Sequence, residues 1–138
     1  MKRGQPKSTR GGALVEGPLR PEPIVQGRWM VFDLAAETEQ LAEEEPWRKI
    51  GRNAMTLVKQ PDLRIVLCRM RSGTRIEEHT ADGRTSIHTL SGRLRLHLGS
   101  ETVDVPAGHL LMLDRGEPHD VEALEESHFL LTMSWSGK

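Results

Sequence analysis

Tyrosine is absent from the chain, so no phenol is available as a general acid. Cysteine occurs once, as Cys68, which excludes an intrachain disulfide. It lies in the apolar run Ile65-Val66-Leu67-Cys68, where a reduced, buried thiol is the expected state rather than a reactive nucleophile. No apolar run approaches the roughly 20 residues a helix needs to cross a bilayer. The basic start lacks the apolar core of a secretion signal, so a cytoplasmic protein with no membrane partner is expected. Charge of one sign is also lacking: 19 basic side chains against 20 acidic ones create no global field that would draw the protein to nucleic acid or an anionic membrane.

What is present suits one modest domain, since 138 residues with 36% hydrophobic content can build a single core. Residues 1–27 mix Gly, Pro and basic side chains without apolar periodicity and read as a flexible tail. Lys2, Arg3, Lys7 and Arg10 in that tail have no interleaved aromatic residue, so a solvated cluster is expected and nucleic acid is not. Residues 28–138 read as the folded domain. Trp29-Met30-Val31-Phe32 has the character of a short buried strand. Asp33 stands where a helix N-cap belongs, ahead of one short helix near 34–45. Leu34 and Leu41, seven apart, share a face that packs on the outside of the main sheet, while Glu37, Glu39 and Glu43 to Glu45 face water and Pro46 ends the helix.

From Met55 onward helical spacing gives way to short strands divided by turn residues, the pattern of an all-β barrel or sandwich. Met55 to Lys59 and Leu63 to Met70 flank a turn at Gln60-Pro61-Asp62, and Arg71-Ser72-Gly73 makes the next bend. After Gly92 the alternation is strict: Leu94, Leu96 and Leu98 share one face, and Arg93, Arg95 and His97 point outward. Gly99-Ser100 fits a two-residue hairpin loop, and Thr102 to Val105 returns. Pro106-Ala107-Gly108 turns the chain into Leu110 to Leu113. The turn Asp114-Arg115-Gly116-Glu117-Pro118 delivers His119 to the next strand, and His128 to Trp135 closes the sheet.

The stretch from Gly73 to His119 places His79 and His119 within under fifty residues. A barrel brings strands from both ends of such a stretch around one interior, so a ligand or metal pocket between the two imidazoles is the leading expectation. His97 reads as outward, His109 as following a Gly turn, and His128 as lying at a surface or edge.

Gly73-x5-His79 and Gly108-x5-Asp114-x-Gly116-x2-His119 resemble the two signature motifs of the cupin superfamily, with Leu90-Ser91-Gly92 completing the first. The resemblance covers about half of the chain, with both motifs in order. It implies a double-stranded β-helix (jelly-roll) barrel, often a homodimer, with the barrel strands, the Trp29 segment or Trp47 as contacts. It also implies a divalent metal held by two closely spaced histidines and a glutamate of the first motif plus one histidine of the second. Residue by residue, His79 matches the first histidine and His119 the last. Ala81 falls on the second histidine and Thr85 on the glutamate, while Asp114 replaces the proline of the second motif and Ala123 its terminal asparagine.

His88 is the candidate for a third ligand, because it shares even parity with Leu90, Leu94 and Leu96. Glu77, Glu78 and Asp82 read as solvated loop carboxylates. Two readings follow. In one, His79, His119 and His88 hold iron, zinc, nickel or manganese with open positions, as in a cupin dioxygenase or isomerase. In the other, a metal-free binding or sensing barrel takes a small-molecule ligand, with Ala81 and Thr85 leaving room beside the histidines. The cupin sugar epimerases that work without metal use a tyrosine acid, which this chain lacks.

Overall fold

The computed structural model describes residues 6–7, 20–21, 28–79 and 82–135, with the backbone alone at 6–7, 20–21, 78 and 79. Within residues 1–27, expected as a flexible tail, the described pieces β1 (Pro6–Lys7) and β2 (Arg20–Pro21) pair antiparallel, and the rest of that expectation lies outside the described residues. The segment Trp29 to Phe32 is not the buried strand its apolar character predicts. It pairs with no strand among the described residues, and Trp29 and Val31 are 74% and 70% exposed. A strand is held by a neighbour's backbone, which this segment lacks; Phe32 alone packs inward.

Two short helices follow where the spacing predicts one. In α1 (Leu34–Leu41) the Asp33 carboxylate accepts the Ala36 N–H at 3.1 Å, capping the first turn, and Thr38 and Leu41 are buried. Pro46 does not end this helix. It sits in the first turn of α2 (Glu45–Ile50), where a missing N–H costs nothing because first-turn N–H groups have no intrahelical acceptor. The helix stops at Gly51, whose φ of 76° is the left-handed conformation that glycine tolerates best.

Nine strands build the barrel: β3 (Arg52–Gln60), β4 (Leu63–Met70), β5 (Arg75–His79), β6 (Arg84–Ser91), β7 (Arg93–Leu98), β8 (Glu101–Pro106), β9 (Leu110–Leu113), β10 (His119–Ala123) and β11 (Ser127–Ser134). They form two antiparallel sheets, β5-β10-β7-β8 and β3-β4-β11-β6-β9, packed face to face as a jelly-roll. β11, the strand expected to close the sheet, lies at the centre of the larger one, between β4 and β6.

The interior is apolar. Val66, Cys68, Ile87 and Phe129 of the larger sheet meet Leu94, Leu96 and Val121 of the smaller one. A second cluster of Leu41, Met55, Leu57 and Leu67 covers the outer face of β3 and β4, where α1 packs as the Leu34/Leu41 spacing predicts. Fully burying a leucine such as Leu41 contributes about 2 kcal/mol. Asn53 fixes α1 to the sheet by donating to the Leu41 carbonyl at 3.1 Å and to the Glu44 carboxylate at 2.8 Å. Trp47 is 6% exposed, gripped between the guanidiniums of Arg69 and Arg71, each 4.9 Å from its ring centre. Its side chain is therefore buried within this chain.

No helix among the described residues is long and apolar enough to cross a membrane.

Candidate functional site

The two crossovers that carry the histidines lie at one end of the barrel. β5 ends at His79 before the chain crosses to β6, and β9 ends at Leu113 before it crosses to β10, which begins with His119. The backbone register sets His79 and His119 directly opposite each other. Between this pair and the next, Val121 with Ile76, β5 carries one residue more than β10, a bulge at the strand end.

His119 is 2% exposed and shares strand parity with Val121 and Ala123 of the interior cluster. Its Nδ1 lies 2.9 Å from the Glu117 carbonyl oxygen. A carbonyl only accepts, so Nδ1 carries a proton and donates it to this contact. The turn through Gly116, with φ at 71°, brings Glu117 back to make this contact.

Thr85 is buried, on the interior face, and its hydroxyl donates to the Gly83 carbonyl at 3.4 Å. Ala81 lies outside the described residues. His88 is not brought to His119. On β6 the buried positions are Thr85, Ile87 and Thr89, whereas His88 shares the opposite face with Leu90, which packs against the outer cluster. Its register partners there are Leu130 and Leu110. The even-parity leucines of β7 do face the interior, but the turn at Gly92 reverses the parity between β6 and β7.

Among the described residues no group of three or more His, Cys, Asp or Glu side chains could hold a metal ion. The motif positions agree with this on chemical grounds. The position for the anionic ligand carries the neutral Thr85, engaged with a carbonyl, and two imidazoles supply neither the coordination number nor the charge that secures a divalent cation. These residues do not fit the metal that the cupin motifs imply.

The other histidines lie elsewhere. His97 faces outward, as its alternation predicts, with Nε2 3.0 Å from the Glu122 carboxylate. His109 is exposed, and its Nδ1 donates to the Ala107 carbonyl at 3.2 Å. His128 is half-buried on the outer face of β11, paired in register with Arg69.

A feature not anticipated from sequence lies at the same barrel end. Register aligns Lys59, Arg64, Met133, Thr85 and Leu113 in one row across the five strands of the larger sheet. Met133 packs on the interior cluster, so Arg64 opposite it lies on the interior face. The signal was available: Arg64 has the parity of Val66, Cys68 and Met70, an unusual place for a cation. Beside it opens a cleft of about 550 Å³ lined by Lys59, Gln60, Pro61, Arg64, Asp82 and Trp135. Asp82, read from sequence as a solvated carboxylate, accepts the Trp135 indole N–H at 2.7 Å.

Solved structures similar to this fold include a cupin superfamily protein from Desulfitobacterium hafniense. It is 18% identical, with 62% of this chain and 78% of that one covered at a TM-score of 0.59. A conserved protein of unknown function from Streptococcus pyogenes is 25% identical, with 82% and 93% covered and a TM-score of 0.63. An RmlC-like cupin from Desulfovibrio desulfuricans is 21% identical, with 61% and 82% covered and a TM-score of 0.57. No curated relative matches the chain. The family model for the cupin domain matches residues 66–135, just over half of the sequence and the span that contains both histidine motifs, and the chain therefore belongs to the cupin family.

Proposed function

We propose that this chain is a small-molecule-binding cupin, a binding or sensing barrel whose ligand enters at the end carrying His79 and His119. The observation that supports this reading is His119 itself. A buried imidazole held by its Nδ1–H contact with a carbonyl is a fixed polar group at this end of the barrel, suited to orienting a bound molecule. Thr85, buried on the interior face, stands in place of a carboxylate at the same end of the barrel.

The test is metal analysis of tagless protein purified without added ions, alongside a thermal-shift screen of small metabolites, on wild type and on His79→Ala and His119→Ala. The expected result is metal far below stoichiometric, even after incubation with iron, zinc, nickel and manganese in turn. A stabilising metabolite should lose its effect in His119→Ala while circular dichroism shows an intact barrel. Near-stoichiometric metal that both substitutions remove would overturn the reading and establish a metal centre in its place.

A further inference from the structure

We propose that the cleft between the β3–β4 hairpin and Trp135 is a carboxylate-binding site for a small organic acid, with Arg64 as its anchor. The site is separate from the His119 reading and stands whether or not His119 binds anything. Arg64 is held on the interior face by its register with Met133, and its guanidinium carbon lies 6.0 Å from the Trp135 ring centre. Its Nε is buried and has no hydrogen-bond partner among the described residues. Buried donors in native proteins are almost always satisfied, so an unsatisfied N–H in the wall of a cleft marks where an acceptor is accommodated once the guanidinium turns toward the opening.

The chemistry of the lining narrows the class. Nε–H and the neighbouring Nη–H of a guanidinium form a planar fork that matches the two oxygens of a carboxylate. Lys59 and Arg64 bring two cationic side chains to the lining beside the carboxylate of Asp82, and the planar fork of Arg64 matches a carboxylate better than the tetrahedral oxygens of a phosphate. Asp82 does not compete for the fork through Oδ1, which accepts the Trp135 indole N–H. Gln60 adds an amide to the wall. The wall is built in place by Gly83: a Cβ there would lie 2.6 Å from the Ser134 carbonyl oxygen and 3.0 Å from Trp135 Nε1, so only glycine lets the loop close against the end of β11.

The test follows the Trp135 indole N–H signal by NMR in the full chain, assigned with Trp135→Phe, during titration with acetate, lactate and gluconate at constant ionic strength. Sodium chloride and inorganic phosphate serve as comparison anions. A saturable shift with at least one carboxylate and none with chloride is expected. Arg64→Gln should weaken that affinity at least tenfold, Arg64→Lys should not restore it, and His119→Ala should leave it unchanged. No saturable shift with any of the three acids, or an affinity indifferent to Arg64→Gln in a variant with wild-type dispersion, would overturn the site. Phosphate binding more tightly than every carboxylate would overturn the carboxylate assignment.

Discussion

Burial acts on two titratable side chains in opposite functional senses. At Cys68 it pushes the thiol far above its ordinary range, so the one cysteine is a protonated, inert component of the interior, as its apolar neighbours imply. At His128, desolvation and then the nearby Arg69 charge hold the imidazole below its ordinary value, with Glu126 opposing. The folded chain therefore favours the neutral ring, whereas the unfolded chain takes up a proton near pH 6.5. His128 costs the fold nothing above that pH, and stability is lost as pH falls from there through the depressed folded value. Urea midpoints compared between pH 7.5 and 5.5 should fall more steeply for wild type than for His128→Asn. Parallel curves would show that His128 does not contribute. Arg64 teaches a related lesson: its charge is visible in the sequence, but its orphaned N–H exists only once Trp135 and the β3–β4 hairpin are placed around it.

At the scale of elements, the turn at Gly92 decides which histidines share an interior. Leu90, Leu94 and Leu96 form an unbroken even-numbered series in the letters, and from that series His88 reads as interior. The turn at Gly92, with φ of 87°, passes the chain from the larger sheet (β6) to the smaller one (β7) and reverses the parity, a change that residue spacing cannot reveal. By contrast, the strand alternation after Gly92, the Asp33 cap and the opposed placement of His79 and His119 were legible, because period-two patterning and paired turns encode them directly. The split of the N-terminal helix was not, since proline serves equally to end a helix and to begin one. Gly92 also carries a measurable energetic weight. A Cβ there would strike the Glu126 carbonyl oxygen and the Ser127 hydroxyl, in addition to the strain of the positive φ. Gly92→Ala should therefore cost about 3 kcal/mol and lower Tm on the order of 10 °C. Gly99→Ala, with φ at 65° but nothing within 4 Å of the added methyl, should cost only about 1 kcal/mol. Equal losses in the two variants by calorimetry would show that the clash at Gly92 relaxes away.

For the whole molecule, the larger sheet is a middle layer, with the barrel interior on one side and the α1 cluster over part of the other. This arrangement explains why the apolar content of β3 and β4 does not alternate cleanly: Met55 and Leu67 face α1 while Ala54, Val66 and Cys68 face the interior. Both faces of these strands demand apolar side chains, so the letters read as short continuous runs.

The central place of β11 has a consequence for how the barrel comes into being. Leu67 of β4 and Leu131 of β11 lie on strands joined along their full lengths, and β6 bonds to the other side of β11. As the chain leaves the ribosome, β4 and β6 are both complete while the strand that joins them is still unmade, and each exposes an unpaired apolar edge. Closure must wait for residues far along the chain, so folding is set by long-range pairing and is late and cooperative. A chain arrested after Glu126 should thus remain open to protease throughout the barrel, and extension through Ser134 should confer protection on β4 and β6 in a single step. Protection of β4 in the shorter chain would place the nucleus of the fold elsewhere. The last described strand thereby acts as a checkpoint on synthesis: an incomplete copy exposes its own defect to quality control.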